Sequence, residues 1–165
     1  MLEEFTSIAM EIAEALKARG EKVAVVDGAT GGLISASLLT VPGALAFYVG
    51  GGILYSERGR SILTGLAPET FKGMRSATEP YALLQARAIR DNFGSDWGVA
   101  ETGAAGGSIH PRSIEAGHSV SAVVGPGIER TFVLRTGSND RVDNMRAFTM
   151  AALHLLSQTL RVDRG

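Results

Sequence analysis

Residues 23–35, with the sequence VAVVDGATGGLIS, constrain the fold more than any other segment of this chain. The apolar run at 23–26 has the composition of a buried β-strand, and small residues at 27–32 interrupt it before helical spacing begins. This order predicts a strand, a glycine-rich turn and the start of a helix. Glycines let a ligand approach the backbone closely, and the positive dipole end of a helix favours an anion. The segment therefore predicts binding of a phosphorylated small molecule.

Helices alternate with strands along the rest of the chain. Apolar residues recur three or four positions apart over residues 3–19, which predicts a helix that ends at Gly20. The same reasoning predicts further helices over 31–39, after 56, over 78–93 and over 145–156, and strands over 22–26, 47–55, 97–102, 119–124 and 130–134. Three glycines at 50–52 predict a bulge in the second strand or a close approach to another backbone.

This alternation predicts an α/β fold, a three-layer α/β/α sandwich with a mixed sheet. The early strands are expected to be parallel, and the last two are expected to form an antiparallel hairpin around residues 125–127. Ligands bind beyond the carboxyl ends of the strands in such sheets. Glycine-rich turns follow two predicted strands, at 28–32 and at 103–107. We therefore expect the two turns to form one ligand site.

Composition limits the class of protein. The 165 residues, of which 45% are hydrophobic, suit one domain over 1–165 with a single core. A formal net charge of −1 without a dense basic run argues against nucleic-acid binding. The absence of cysteine excludes disulfides and thiolate chemistry. With no leader peptide and no run of about 18 apolar residues, we expect a cytoplasmic protein without a membrane partner.

Several short motifs carry a resemblance to a known family. They lie at 27–32 (DGATGG), 40–44 (TVPGA), 51–56 (GGILYS), 78–80 (TEP), 102–106 (TGAAG), 117–120 (GHSV) and 140–141 (DR). In this order, and over nearly the full chain, they resemble the C-terminal domain of CinA, the competence/damage-inducible family that includes nicotinamide mononucleotide deamidases. Residues 108–114 replace a Pro-Gly-Gly continuation of that family, which predicts an altered rim of the pocket.

The resemblance implies an amidohydrolase. The family reaction converts the carboxamide of nicotinamide mononucleotide to nicotinate mononucleotide and ammonia, using a serine helped by a tyrosine and a lysine, with no metal or organic cofactor. Tyr55 matches the tyrosine, but Gly28 stands at the serine position and Arg60 at the lysine position. Amide hydrolysis needs an activated nucleophile, and arginine stays protonated at neutral pH. Two of the three chemical groups are therefore replaced.

The candidate catalytic residues are Thr30, Tyr55 and Arg60. Thr30 has a hydroxyl on the first turn and is the candidate replacement nucleophile, although capping of the helix or contact with a ligand phosphate is the favoured interpretation. Arg60 either binds a phosphate or carboxylate through its planar fork or is a solvated surface charge. The candidate ligand-binding residues on the two turns are Gly28, Ala29, Thr30, Gly31, Gly32, Thr102, Gly103 and Ala105.

Other polar residues leave alternatives open. Asp27 and Glu101 stand at predicted strand ends, where a carboxylate either contacts a ribose hydroxyl or caps a helix. Asp140 and Arg141 predict an ion pair at the start of the last helix. The histidines lack the close spacing of metal ligands, so we assign no metal to His110, His118 and His154.

Three functions agree with these residues. The chain is an active amidohydrolase on a pyridine nucleotide, with Thr30 or a water in place of serine. Alternatively, it is a catalytically inactive homologue that binds a nucleotide as a regulator. In the third alternative it is an interaction subunit with a vestigial pocket. We expect a small-molecule nucleotide ligand and a homo-oligomer, and the two intact glycine turns favour retained binding over a purely structural role.

Overall fold

The computed structural model describes residues 1–162. The helices are α1 (Thr6–Arg19), α2 (Leu33–Leu39), α3 (Glu57–Thr64), α4 (Glu79–Phe93) and α5 (Arg141–Val162). The strands are β1 (Val23–Asp27), β2 (Tyr48–Ile53), β3 (Trp97–Ala104), β4 (His118–Gly125) and β5 (Ile128–Arg135). Short 3₁₀ helices lie at Leu2–Phe5, Ala44–Ala46 and Pro68–Phe71. Residues 163–165 of the expected domain lie outside the described range.

The five strands form one mixed sheet in the order β2-β1-β3-β4-β5. β1 pairs in parallel with both β2 and β3, whereas β3 with β4 and β4 with β5 pair antiparallel. Every residue of β1 is buried, as its continuous apolar run predicts for a central strand. A register shift opposite Val23 and Ala24 confirms the predicted irregularity of the glycine-rich strand. The mixed sheet and the late hairpin are thus confirmed.

Helices cover both faces of the sheet, which confirms the three-layer arrangement. On one face, α1, α2 and α5 enclose a core that includes Phe5, Trp97 and Leu156. On the other face, α4 places Ala86 and Ile89 against β1, β3 and β4. Within residues 1–162, no helix combines the length and the apolar character needed to cross a bilayer. Because β1 and β3 are parallel neighbours, their carboxyl ends lie side by side at one edge of the sheet.

Two boundaries near that edge differ from the predictions. α2 begins at Leu33 and not at residue 31, because Gly31 and Gly32 have φ angles of 65° and 100°. Those left-handed angles suit glycine and cannot continue a right-handed helix. β3 also runs on to Ala104, so Gly103 belongs to the strand and not to the turn after it. The site is therefore built from a longer strand and a longer turn than predicted.

Candidate functional site

A cleft of about 430 Å³ opens where β1 and β3 end. Its volume falls in the range of small-molecule sites, which is roughly 300–1,000 Å³. The turns after β1 and β3, the start of α3, one face of α4 and the loop at 108–112 all contribute to its walls. The position agrees with the rule that ligands bind beyond strand carboxyl ends. Residues 108–112 also lie where an altered rim was predicted.

The carboxylate of Asp27 holds the turn after β1. Its Oδ1 accepts hydrogen bonds from the Thr30 hydroxyl at 2.7 Å and the Ile34 amide at 2.9 Å. Its Oδ2 accepts from the Ser35 amide at 3.1 Å and the Ser35 hydroxyl at 2.7 Å. A carboxylate of the chain itself therefore occupies the positive end of α2. The amides that would bind a phosphate there are already taken, and of the two roles considered for Asp27, helix capping agrees with these contacts.

Thr30 belongs to the same internal network. It is fully buried, its hydroxyl donates to Asp27, and its amide donates to Oε2 of Glu101 at 3.0 Å. The described residues that line the cleft do not include Thr30. A hydroxyl so placed stabilises the turn and does not face a ligand. The nucleophile role is unsupported, and the cap role proposed for Thr30 is performed by Asp27.

Gly28 lies against the backbone of the neighbouring strand. A Cβ atom at this position would stand 2.2 Å from the carbonyl oxygen of Glu101 and 3.3 Å from its Oε2. The first distance is far below van der Waals contact, so only glycine fits this path of the chain. The space beside residue 28 therefore holds the Glu101 side chain, and sequence reasoning did not predict this neighbour.

Glu101 is a buried acid at the floor of the cleft. Its Oε1 accepts a hydrogen bond from the Ser119 hydroxyl at 2.5 Å, and its Oε2 accepts the Thr30 amide. Burial raises the pKa of this carboxyl from 4.5 to about 7, with a smaller contribution from the negative charge of Asp27, and the hydrogen bonds oppose the rise. A carboxyl with this pKa can hold or release a proton near neutral pH.

This raised pKa predicts pH-dependent stability. Between pH 4.5 and about 7 the folded state keeps a proton on Glu101 that the unfolded state releases. The free energy of unfolding should therefore rise as pH falls through that window, by about 3 kcal/mol in total. Glu101→Gln, which can still accept the Thr30 amide, should lose this component and be more stable than the wild type at pH 8. Urea unfolding of the wild type and of Glu101→Gln at pH 5 and pH 8 measures the two effects. An equal change in the free energy of unfolding between these pH values in both proteins would contradict the raised pKa of Glu101.

Arg60 forms part of an aromatic wall of the cleft. Its guanidinium carbon lies 4.0 Å from the centre of the Phe71 ring and 5.8 Å from that of Tyr81. Its Nη1 donates to the Tyr81 hydroxyl at 3.3 Å. The residue is only 8% exposed, so the interpretation of Arg60 as a solvated surface charge is wrong. Cation–π contact accounts for part of the stability of a buried charge here.

Three buried polar atoms on this side of the cleft have no hydrogen-bond partner in the described chain. They are Nε of Arg60, Oγ of Ser76 and Nε2 of Gln85. All three residues line the cleft, and we call them the donor wall. Buried polar groups are rarely left unpaired, so these atoms suit a partner from outside the chain, either water or a ligand. Sequence analysis missed Ser76 and Gln85, although Gln85 follows Tyr81 by one turn of α4 and so shares its face.

The open rim of the cleft carries further polar groups. Tyr55 is 78% exposed, and its hydroxyl accepts a hydrogen bond from Nη2 of Arg141 at 3.3 Å. Nη1 of Arg141 donates to the carbonyl of Gly106 at 2.8 Å. Asp140 instead accepts the amide of Asp143 at 3.0 Å. The expected Asp140–Arg141 ion pair is therefore not formed within residues 1–162, because Arg141 extends across the rim.

The structure brings together most of the predicted site. The cleft is lined by Gly28, Ala29, Tyr55, Arg60, Thr102, Gly103 and Ala105. Gly31 and Gly32, like Thr30, are not among its described lining residues. A Cβ at Gly31 would stand 2.8 Å from Cε of Met145, and one at Gly32 would stand 3.1 Å from Cδ1 of Ile53. Both contacts are with the ends of flexible side chains, so the left-handed φ angles are the reason for glycine at these two positions.

The fold and the cleft define an α/β protein with an open cleft at the carboxyl ends of its parallel strands. The family model described as the CinA C-terminal domain matches residues 5–160. This chain belongs to that family. It is 32% identical to a CinA-like protein of Myxococcus xanthus over 153 residues, which cover 88% of this chain and 36% of that protein. A CinA-like protein of Anaeromyxobacter is 35% identical over 147 residues, with the same coverage. The chain thus spans about a third of the length of these relatives.

Solved structures agree with the architecture. A CinA superfamily protein from Klebsiella pneumoniae superimposes with a TM-score of 0.87 at 23% identity, covering 95% of this chain and 98% of that one. A competence/damage-inducible protein from Agrobacterium tumefaciens gives a TM-score of 0.86 at 23% identity, covering 95% of each chain. At this identity the likeness establishes the fold, while function has to be argued from the site.

Proposed function

We propose that this chain binds a pyridine mononucleotide or a related phosphorylated ligand in its cleft and does not hydrolyse carboxamides through a side-chain nucleophile. The observation that carries the proposal is the 2.2 Å separation between a Cβ at Gly28 and the Glu101 carbonyl, which excludes any side chain there. Thr30, the other candidate, is buried in the turn. A covalent mechanism needs a nucleophile within reach of both base and substrate.

Retained binding is supported by the composition of the cleft walls. Arg60 is buried in one wall of the cleft, whereas Arg112 and Arg141 are exposed at its rim. Positive charge is therefore present both inside the cleft and at its opening. Arg112 also contacts the carboxylate of Glu57. Arginine suits phosphate and carboxylate groups because its planar fork presents several donors. A vestigial pocket would have no reason to keep a buried cation and unpaired donors.

Ammonia release and calorimetric titration, both with nicotinamide mononucleotide, test this proposal together. We expect a saturable heat of binding and no ammonia above the enzyme-free blank. Thr30→Ala should leave that result unchanged in a folded protein. Turnover by the wild type that Thr30→Ala abolishes, with binding retained, would overturn the proposal. The absence of binding to both nicotinamide and nicotinate mononucleotide would overturn it as well.

A second candidate function follows from Glu101. Its carboxyl lines the cleft beside Gly28, and burial raises its pKa to about 7. In this alternative Glu101 takes a proton from water, and the hydroxide adds to the carboxamide carbon. The carbon–nitrogen bond then breaks as the proton passes to the leaving nitrogen, giving a carboxylic acid and ammonia, which become a carboxylate and ammonium by transfer of the acid proton at neutral pH. Ammonia release that Glu101→Gln abolishes and Thr30→Ala leaves intact would favour this alternative.

A further inference from the structure

We propose that the donor wall, formed by Arg60, Ser76 and Gln85, binds a carboxylate group of the ligand. The inference rests on the proposed function, because it assigns one chemical group of the ligand that the cleft is proposed to hold. It also gives Arg60 a role that differs from base chemistry. The ligand of this chain would then carry an acid where an amidase substrate carries a carboxamide.

The charge of Arg60 is the first argument. The residue is 8% exposed, and no ion pair to it is formed within residues 1–162. A buried cation is costly unless an anion or a set of hydrogen bonds compensates it. The Phe71 ring offers its electron-rich face but accepts no conventional hydrogen bond. A bound anion would supply the missing charge.

The three unpaired atoms are the second argument. Nε of Arg60, Nε2 of Gln85 and Oγ of Ser76 are all able to donate a hydrogen bond, and Gln85 is 1% exposed. All three residues line the same cleft, so a bound group with several acceptor sites is the kind of partner that suits them. The two oxygens of a carboxylate offer about four acceptor sites, and arginine matches their geometry with its fork.

Charge balance favours a carboxylate over a phosphate at this wall. Arg60 supplies a single positive charge, which one carboxylate neutralises, whereas a phosphate monoester carries up to two negative charges. Glu101 lines the same cleft, and its ionised form would repel a doubly charged group more strongly than a singly charged one. Arg112 and Arg141 are exposed at the rim, where a solvated phosphate would bind with less desolvation. A ligand with an acid at one end and a phosphate at the other fits this distribution.

Two probes that differ only at the relevant group test the inference. Nicotinate mononucleotide carries a carboxylate where nicotinamide mononucleotide carries a carboxamide. Calorimetric titration of the full chain at pH 7 should give at least tenfold tighter binding of the carboxylate. Arg60→Met keeps a long apolar chain beside the Phe71 ring. It should weaken the binding of nicotinate mononucleotide at least tenfold and change the binding of nicotinamide mononucleotide little. Gln85→Met is a second variant, with a smaller loss in the same direction.

Arg58→Met is the matched control, because Arg58 is exposed on the same helix α3 and is not a lining residue of the described cleft. It should leave both affinities within twofold of the wild type. Equal or weaker binding of nicotinate mononucleotide by the wild type would overturn the carboxylate assignment while leaving the proposed function in place. If the wild type binds neither mononucleotide, the proposed function itself is overturned. Equal weakening of both ligands in Arg60→Met would also contradict the assignment.

Discussion

Gly28→Ser should strongly destabilise this protein and not restore family chemistry. The new Cβ would stand 2.2 Å from the Glu101 carbonyl oxygen, which belongs to the backbone of β3 and cannot rotate away. Relief requires β1 and β3 to separate in the middle of the sheet. We expect a loss of more than about 3 kcal/mol in the free energy of unfolding, at the upper end for overpacked sites. Urea unfolding followed by circular dichroism measures it.

Gly59→Ala is the matched control for this substitution. Gly59 lies in α3, and a Cβ there would meet only Oγ of Ser56, at an ordinary 3.4 Å. Alanine is the better helix former, so the control should match or exceed the wild type by up to about 1 kcal/mol. A Gly28→Ser protein that is as stable as the wild type and releases ammonia from nicotinamide mononucleotide would contradict the account of this position.

Asp27→Ala should have a comparable effect for a different reason. The substitution removes the acceptor of four hydrogen bonds and leaves the Thr30 hydroxyl and the Ile34 amide buried without a partner. Each buried unpaired group costs roughly 1–3 kcal/mol, and an N-cap contributes about 1 kcal/mol more. We expect a total loss near 4 kcal/mol, which thermal unfolding would register as a decrease in Tm on the order of 10 °C.

Asp96→Ala is the matched control, because it removes a carboxylate that does not hold the turn after β1. Asp96 is exposed and accepts one amide, that of Lys22, at 2.8 Å. Its replacement should cost less than about 1 kcal/mol. If the two alanine variants lose stability equally, the Asp27 carboxylate does not organise the turn as described. Asp27→Asn should fall between them, because its amide keeps a single acceptor oxygen.

The order of strands and helices could be predicted because the hydrophobic pattern of each segment agrees with its place in the fold. The apolar run of β1 sits in the centre of the sheet, and the periodic residues of α1 face the core. The start of α2 was misjudged because glycine is compatible with both helix and turn, and only the left-handed φ angles of Gly31 and Gly32 decide between them. Local composition alone therefore cannot tell a glycine in a helix from a glycine in a turn.

The site residues that could be predicted are those at the ends of strands and in the loops that follow them. Thr102 and Tyr55 line the cleft as expected, since strand ends and their loops meet at one edge. Thr30 was misjudged because the direction of its hydroxyl depends on Asp27, a partner fixed by the turn geometry. Gln85 was missed because an amide on a helix has no motif, and its burial is decided only by the packing of the folded chain.

A crystal structure of the protein with nicotinate mononucleotide is the sharpest test of the claim that the cleft binds a ligand with its carboxylate at the donor wall. We expect an intact ligand in the cleft, with its pyridine carboxylate within hydrogen-bond distance of Nε of Arg60 and its phosphate near the rim arginines, Arg112 and Arg141. An empty cleft at saturating ligand would contradict the claim. So would a ligand turned so that its phosphate contacts Arg60 and its carboxylate faces solvent.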